Sequence, residues 1–376
     1  MKIKHITLAL MAFSVLACNK NHTPEKPDDP DSNTDYVAFA DEVLENHILS
    51  IVPAVDADGD GMISFEEAKA VTKIDLSFER PDMVVEEKVV TDLSGLEHFT
   101  SLDTLGLKYH RATDATPVEG LTELKFLHLG GNPIKELDLS KLSKLESLYL
   151  FDTKVSTLAL DKTPQLAVLY VSRTEIQDLD LSILKNLKEV VANDGKLKTL
   201  KVEGLSKLER LDAVGNMLTS LEVKDCENLQ QLHLNSNRIS SIELSGLPKL
   251  MILNLYSNQL KSLDVSGLPF LLRLYVFDNS LEALDLSANA YFQELYVSYN
   301  PMKSLDLSKN PMLEFLEAMH MPALEEINLK NDSFEGSYDI VDGNAALKKV
   351  IVDAGAEYTY VAGLFKDLPS VSVVTE

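Results

Sequence analysis

Leucines and other apolar residues recur every 21 residues through the centre of the chain, and this spacing predicts the fold. Written by position, the repeated unit is LxxLxxLxLxxNxLxxLDLSx. The frame restarts without insertion at Leu121, Leu142, Thr163, Leu184, Leu205, Cys226, Leu247, Leu268, Asn289 and Asn310. A fixed short period is typical of repeat architectures, in which a lone unit buries too little apolar surface to fold but stacked units share a continuous core. The sequence therefore predicts a solenoid over residues 73–330.

Two stretches of each unit alternate apolar and polar residues as strands do. The first is the LxL pair, such as Leu148 and Leu150, and the second is LDLS, such as residues 305–308. Both stretches direct their apolar residues into one interior, where each buried side chain contributes about 1.5–3 kcal/mol. We expect a curved solenoid with a parallel β-sheet on its concave face.

An asparagine occupies one fixed position of the repeat, where the chain leaves the strand. The asparagines at this position are Asn132, Asn216, Asn237, Asn258, Asn279 and Asn300. A stacked amide side chain can pair with backbone groups of its own coil and of adjacent coils. Thr153, Thr174 or Gly195 stands at this position in three other coils, which we expect to be looser.

The first 35 residues have the composition of an export signal followed by a tether. Lys2 and Lys4 precede an apolar run, Ile6 to Leu16, that is too short to span a membrane. We therefore read residues 1–17 as a signal peptide. The run ends in VLAC, which resembles a bacterial lipobox, and that resemblance implies that Cys18 is the lipidated first residue. The alternative is an ordinary secreted protein that is cleaved nearby. Residues 18–35 are rich in proline and acids, which predicts a flexible tether.

Residues 36–51 have the apolar spacing of a helix, and the stretch DADGDGMISFEE follows them. Counted as an EF-hand loop, it offers calcium ligands at every expected position: Asp56, Asp58, Asp60, the Met62 carbonyl, Ser64 and Glu67. The alternative is a surface turn rich in Asp and Gly. Extracellular modules of this kind bind calcium with Kd values of about 10⁻⁴–10⁻³ M. We therefore expect a structural Ca²⁺ that stiffens a helical cap over residues 36–72.

Aromatic residues cluster at the strand positions that alternate with the buried leucines. They form an early group and a late group, composed of Tyr149, Phe151, Tyr170, Tyr256, Tyr275, Phe277 and Tyr296. Such residues are enriched in protein-binding hot spots, and their rings also stack on sugars. They can equally stack along adjacent strands and stiffen the sheet. We expect them to form a ligand-binding face.

Composition, charge and the absence of known motifs limit the functions that the sequence can have. The net charge of −24 disfavours nucleic acid and anionic lipid as partners, so membrane attachment is expected only through the lipid on Cys18. The sequence has no HExxH, GxSxG or glycine-rich phosphate motif, so we do not expect an enzyme. Cys226 occupies a leucine position and is expected to be buried without a disulfide. We expect a monomer whose residues 331–376 form a C-terminal cap, with a last divergent LxxLxL repeat at residues 347–352 and a helix near residues 358–365.

Residues 74–330 resemble the internalin-like leucine-rich repeats of bacterial surface proteins, although those repeats are typically one residue longer. Together with the signal, tether and EF-hand loop, the chain resembles cell-surface leucine-rich-repeat lipoproteins of Gram-negative bacteria. The resemblance implies an adhesin-like protein of the outer membrane that recognises a host or matrix protein on its concave face. Two alternatives remain: a glycan-binding component of a polysaccharide-uptake system, and a structural envelope protein.

Overall fold

The structure, a computed structural model, describes residues 35–51, 55–332 and 336–375. The predicted signal peptide, Cys18 and nearly all of the predicted tether lie outside these residues. From Tyr36 onward the chain forms one compact unit. This unit is a solenoid of stacked coils in which all strand pairs are parallel.

Thirteen short strands, one from each successive coil, form the main sheet. They are β1 (Lys73–Asp75), β2 (Thr104–Gly106), β3 (Phe126–His128), β4 (Ser147–Tyr149), β5 (Val168–Tyr170), β7 (Glu189–Val191), β9 (Arg210–Asp212), β11 (Gln231–His233), β13 (Ile252–Asn254), β14 (Arg273–Tyr275), β15 (Glu294–Tyr296), β17 (Phe315–Glu317) and β19 (Ser337–Asp339). The central residue of each strand lies in the core, as Leu148 and Leu274 do with no exposed surface. The residues on either side of it face away from the core, and we call this outward surface the main-sheet face.

The LDLS stretches of several coils form shorter sheets elsewhere on the solenoid. These are β6 (Asp178–Asp180) with β8 (Thr199–Lys201), β10 (Ser220–Glu222) with β12 (Ser241–Glu243), and β16 (Ser304–Asp306) with β18 (Glu326–Asn328), β20 (Lys349–Ile351) and β21 (Ser372–Val374). The repeated aspartate of this stretch folds back on the chain. The Asp138 carboxylate, for example, accepts hydrogen bonds from the backbone N–H and hydroxyl of Ser140 at 2.8 and 2.9 Å. This local turn ends the stretch.

The repeat asparagines bridge coils, as the sequence predicts. Asn237 is representative: its Nδ2 donates to the Leu234 carbonyl of its own coil at 3.0 Å and to the Ala213 carbonyl of the preceding coil at 2.8 Å. Its Oδ1 accepts from the Leu218 N–H at 3.0 Å. The hydroxyl of Thr153 donates only within its own coil, to the Leu150 carbonyl at 2.7 Å. An asparagine therefore joins two coils at a position where threonine satisfies one carbonyl of one coil.

Each coil turns away from the main sheet through a residue with positive φ, one position before the asparagine. Three of these residues are glycine; the set among the described residues is Tyr109, Gly131, Asp152, Arg173, Asp194, Gly215, Ser236, Ser257, Asp278, Tyr299, His320 and Gly343. The left-handed region is costly for most side chains, so the stacked coils must hold these turns in place.

Among the described residues, three α-helices lie at the ends of the solenoid: α1 (Glu42–Ile51), α2 (Phe65–Ala70) and α3 (Ala356–Leu364). The sequence predicted that the first helix would start near Tyr36, and this was wrong. It starts at Glu42 because the Asp41 carboxylate accepts hydrogen bonds from the N–H groups of Val43 and Leu44, at 2.8 and 3.2 Å. Residues 36–37 are instead extended and pair with residues 63–64 of the predicted calcium loop.

Asp41 also attaches this N-terminal cap to the solenoid. Its Oδ2 accepts hydrogen bonds from the Thr91 N–H at 2.7 Å, the Thr91 hydroxyl at 3.0 Å and the Asp92 N–H at 3.2 Å. Burial alone would raise the pKa of this carboxyl, but the hydrogen bonds from Thr91 and Asp92 outweigh burial and lower the pKa below its ordinary value. The carboxylate is thus held in its charged form where α1 meets the first coils.

The C-terminal cap is organised around Tyr338, the buried central residue of β19. Its N–H donates to the hydroxyl of Tyr360 on α3 at 3.2 Å, and its own hydroxyl donates to the carboxyl of Glu357 at 2.9 Å. Glu357 is 1% exposed and also accepts from the Asp353 N–H at 2.6 Å. Burial raises the pKa of Glu357. Helix α3 therefore covers the last strand of the main sheet and places a buried carboxyl group against it.

The divergent repeat predicted at residues 347–352 contains a strand, but that strand is not part of the main sheet. It is β20, which pairs with β18 in the four-stranded sheet. Residues 337–339 supply the final main strand instead, with Tyr338 opposite Leu316. The apolar spacing is the same in both sheets, so spacing alone did not distinguish them.

Candidate binding face and calcium loop

The three aspartates of the predicted calcium loop come together. Asp56, Asp58 and Asp60 each offer a carboxylate oxygen, and these atoms lie within 4.8 Å of one another. Asp56 shapes the loop by accepting hydrogen bonds from the N–H groups of Gly59 and Gly61, at 2.7 and 3.0 Å. Both glycines have positive φ, which lets the backbone bend around the carboxylates.

Glu67, the last predicted ligand, makes different contacts. It is the third residue of α2, where it forms a capping box with Ser64: its Oε2 accepts from the Ser64 N–H and hydroxyl, each at 2.8 Å. Its Oε1 accepts from the Ala57 N–H at 2.6 Å. These hydrogen bonds, those from Ser64 first, lower the pKa of Glu67. The Glu67 and Ser64 side chains are therefore hydrogen-bonded to each other, and Glu67 does not belong to the group of three carboxylates whose oxygens lie within 4.8 Å of one another.

The chemistry of the loop fits a hard cation such as Ca²⁺, which prefers oxygen ligands. Asp56, Asp58 and Asp60 supply three carboxylates, and the predicted set adds the Met62 carbonyl. The loop is braced from outside, since the Val37 N–H donates to the Ile63 carbonyl at 2.8 Å and Tyr36 forms an antiparallel bridge with Ser64. For Glu67 to bind the same ion, its carboxylate would have to exchange its bonds to Ser64 and Ala57 for the metal.

The early aromatic residues form a cluster at the N-terminal end of the main-sheet face. The rings of Tyr149 and Tyr170 are 4.9 Å apart on adjacent strands. His128 joins Tyr149 to Phe151, stacking on the tyrosine at 4.9 Å and meeting the phenylalanine edge-on at 5.3 Å. Burial, followed by the charge of Lys108, lowers the pKa of His128 to about 4. The N-terminal aromatic cluster is therefore uncharged at neutral pH.

The late aromatic residues form two stacked pairs at the other end of the same face. Tyr275 and Tyr296 stack at 4.6 Å with 17° between their planes, and Tyr256 and Phe277 stack at 4.3 Å with 10°. All four side chains are half-buried. The predicted aromatic residues thus share one face of one sheet, in two groups.

Charged residues separate these two groups. Arg210 lies between Asp212, at 2.6 Å, and Glu189, at 3.5 Å. The Tyr170 hydroxyl donates to the same Glu189 carboxylate at 2.7 Å. These charges are already paired with one another, so the centre of the face is polar but has little unsatisfied charge to offer a ligand.

The structure adds ring residues that the sequence did not single out. Phe126 lies 5.3 Å from Tyr149, and Phe315 lies 4.9 Å from Tyr296. Both precede the central leucine of their strand, whereas the prediction used only the residues that follow it. Since residues on either side of a strand's central residue share a face, the position before each leucine was the signal that would have identified them.

Among the described residues, the remaining chemistry is sparse. Cys226 is fully buried, as expected, and it is a free cysteine within this part of the chain. None of the helices that the structure describes has the length and apolar character needed to cross a bilayer.

The family model described as Leucine Rich Repeat matches residues 228–250, which is about one coil. No curated protein matches the sequence. Many solved structures share the architecture. The functional domain of InlJ from Listeria monocytogenes is 22% identical with a TM-score of 0.66, and the match covers 83% of this chain and 74% of that one. A leucine-rich-repeat protein of Leptospira interrogans is 20% identical with a TM-score of 0.59, over 86% of this chain and 98% of that one.

A plant peptide hormone receptor, solved in complex with RGF2, is also similar. It is 15% identical with a TM-score of 0.51, and the match covers 81% of this chain and 63% of that receptor. At these identities the likeness establishes the fold. The prediction of a leucine-rich-repeat solenoid is confirmed.

Proposed function

We propose that the chain is a cell-surface protein that binds a protein ligand on its main-sheet face. The observation that carries this proposal is the pair of aromatic groups on one sheet, separated by self-paired charges. Half-buried rings of this kind combine contact area with low side-chain entropy, as binding hot spots do. A protein-binding role is also in keeping with the same fold in a plant receptor that was solved with its peptide ligand.

The distance between the aromatic groups indicates the size of the ligand. Tyr149 and Tyr275 lie six strand steps apart in the main sheet. With strands about 4.8 Å apart, the separation is roughly 29 Å. A ligand that touches both groups must be a folded domain or an extended segment of about nine residues.

The ring geometry favours a protein over a glycan. A sugar stacks on an open ring face, but Tyr275 and Tyr296 cover each other's faces, and so do Tyr256 and Phe277. In each stacked pair, the surfaces still open to a partner are mainly the ring edges and the outer face of each ring. Capture of a glycan, the second candidate, therefore has a smaller platform than the sequence alone suggested.

We also propose that calcium and a lipid anchor support this role. Calcium would bind Asp56, Asp58 and Asp60 with the Met62 carbonyl, Ser64 and Glu67, and would fix the loop on which Tyr36 and Val37 pack. The cation supplies positive charge among clustered carboxylates and no reaction. Lipid on Cys18 would hold the protein at the outer membrane and leave the solenoid free to meet a ligand.

The test is a binding screen of the purified chain against extracellular proteins and a glycan array. We expect a protein hit whose affinity falls about 30-fold or more in the Tyr275→Ala, Phe277→Ala double variant, which corresponds to about 2 kcal/mol for a hot spot. Tyr358→Ala on α3, a 41% exposed tyrosine away from this face, is the matched control and should bind normally. On cells, Cys18→Ser should release the binding activity into the medium.

Three results would count against the proposal. A glycan hit that depends on Tyr275 would support the second candidate. A double variant with a lowered melting temperature and unchanged affinity would show that the rings stiffen the sheet only. The absence of any hit, together with self-association of the chain, would support a structural envelope role.

A further inference from the structure

An exposed apolar groove lies beside the main-sheet face, at the edge where the strands of the later coils begin. It has a volume of about 370 Å³ and is lined chiefly by Met251, Phe270, Leu272, Tyr291 and Met312. The two rings are 52% and 47% exposed, and the two methionines are 39% and 48% exposed. A patch of this kind on a monomer marks an interaction site. We call it the edge groove.

The same repeat position is polar in the earlier coils. Phe270, Tyr291 and Met312 occupy the third position of the 21-residue frame. In preceding coils this position holds side chains that pair from coil to coil, such as Lys144 with Glu123 at 2.6 Å and Lys207 with Asn186 at 2.7 Å. A polar ladder thus gives way to an apolar row along one edge of the solenoid.

Core packing does not account for the change. The residues that follow the apolar row in sequence, Leu271, Phe292 and Leu313, are themselves buried at 2% exposure or less. They fill the interior as the equivalent leucines of other coils do. The exposed side chains are therefore additional to the core, and a polar residue at position three would leave the fold intact, as it does at Lys207.

The dimensions of the edge groove fit one class of ligand. From Met251 to Met312 the groove crosses three coil steps, or about 14 Å. An α-helix rises 5.4 Å per turn, so two to three turns would span the groove with apolar residues at spacings of three and four. The Phe270 and Tyr291 rings lie 5.9 Å apart with 25° between their planes, and a methionine flanks them at each end. Methionine side chains adapt readily to the shape of such a partner.

The charge of the groove lining indicates which charge the partner should carry. Lys249 is the charged residue of the lining, and its ammonium group donates to the Asn228 side-chain carbonyl at 2.6 Å. The lining contains no carboxylate, although the chain as a whole carries a net charge of −24. The groove is thus an apolar site with one cationic group at its edge, on an acidic protein. A second copy of this chain would bring strong like charge, which disfavours self-association here.

We infer that the edge groove docks a short amphipathic helix of a partner protein, with an acidic residue beside its apolar stripe to meet Lys249. This site is separate from the main-sheet face and does not require the ligand proposed there. It gives the solenoid a second contact region on the coils that carry Tyr275 and Tyr296.

A displayed library of random peptides of about 14 residues, selected on the full chain and counter-selected on the Phe270→Ser, Tyr291→Ser double variant, tests this inference. We expect recovered peptides with apolar residues at helical spacing and a neighbouring acid. Synthetic versions should bind the double variant about tenfold more weakly or worse, and Lys249→Glu should weaken the acidic peptides selectively. Ile183→Ser removes a 56% exposed apolar residue outside the groove and should leave binding unchanged.

Thermal unfolding of the double variant checks that the fold is intact, since both rings are solvent-exposed. The inference is overturned if no recovered peptide distinguishes the wild type from the double variant, or if the recovered peptides lack helical spacing. It is also overturned if sedimentation shows the wild type, but not the double variant, to dimerise at micromolar concentration. In that case the occupant is a second copy of the chain. Because the main-sheet variants leave the groove untouched, failure here is distinguishable from failure of the proposed function.

Discussion

The two ends of the solenoid are each closed around a buried carboxyl group, and the pKa values of the two groups are shifted in opposite directions. At the N-terminal end Asp41 accepts five hydrogen bonds, which lower its pKa against the effect of burial. At the C-terminal end Glu357 accepts two, from Tyr338 and Asp353, and burial raises its pKa. The number of hydrogen-bond donors thus decides whether the pKa of a buried carboxyl group falls or rises.

This difference gives the two ends opposite dependence on pH. The folded-state pKa of Asp41 lies below its unfolded value, which is near 3.8. The contribution of Asp41 to folding stability is therefore fully present above pH 3.8 and is lost as pH falls through the folded-state pKa. The folded-state pKa of Glu357 lies above its unfolded value, which is near 4.5. The stability of the C-terminal end therefore declines as pH rises from about 4.5 through the folded-state pKa. Lowering the pH to about 4.5 therefore favours the second cap, whereas the first cap loses stability only when the pH falls below about 3.8.

Of the changes considered at the two ends, removing the Asp41 side chain should alter the free energy of unfolding the most. Asp41→Ala leaves α1 without its cap and leaves the Thr91 and Asp92 N–H groups without their acceptor. We expect a loss of about 3 kcal/mol or more in the free energy of unfolding, measured by urea denaturation at pH 7. Asp92→Ala is the matched control, because its exposed carboxylate accepts only from Ser94 among the described residues. Equal losses in the two variants would show that Asp41 does not join the cap to the coils.

Calcium should act on the N-terminal end alone, with an intermediate effect. With a Kd of about 10⁻⁴–10⁻³ M, 10 mM Ca²⁺ would stabilise the folded state by roughly 1.4–2.7 kcal/mol. Calorimetry of the chain with chelator and then with Ca²⁺ should therefore show a rise in melting temperature. The same concentration of Mg²⁺ should give a smaller rise, and Asp58→Asn should remove the response to calcium. A melting temperature that does not change on adding chelator would contradict the calcium assignment.

The smallest change should come from neutralising Glu357. Glu357→Gln removes a buried group that favours its proton and retains an oxygen to accept a hydrogen bond. We expect a gain on the order of 1 kcal/mol at pH 8 that shrinks towards pH 4, where the wild-type carboxyl group takes up its proton. Thermal unfolding of both proteins across this range measures the difference. A gain that does not change with pH would mean that the charge of Glu357 does not limit stability at this end.

Much of the architecture could be predicted from the sequence because one physical requirement repeats in every coil. The leucine frame predicted the core and the parallel strands, and the amide positions predicted the bridges between coils. A residue other than asparagine also makes hydrogen bonds between coils at this position. His110 occupies the asparagine position of an early coil, where its Nδ1 accepts from the Val90 N–H and its Nε2 lies 3.0 Å from the Leu76 carbonyl. An imidazole can make bonds of the kind an amide makes, but a search for asparagine does not find it.

What the sequence did not predict depends on contacts between distant segments. The start of α1 is set by Asp41, a residue that also bonds Thr91, 50 positions along the chain. The assignment of residues 347–352 to the other sheet depends on their pairing with β18, because residues 337–339 already occupy the end of the main sheet. The edge groove was missed for a different reason. Phe270 and Tyr291 stand at a position treated as variable, and only stacking places variable positions of successive coils side by side.

The asparagine bridges imply a rule for how such a chain can change in length. Each amide at this position bonds both its own coil and the coil before it, so the spacing between successive bridges is fixed at one full turn. Removing a whole unit joins two compatible turns, whereas removing half a unit would leave an amide facing the wrong carbonyls. Duplication or loss of complete units is thus the mutational route open to this scaffold, and each step moves the two aromatic groups one strand closer together or farther apart.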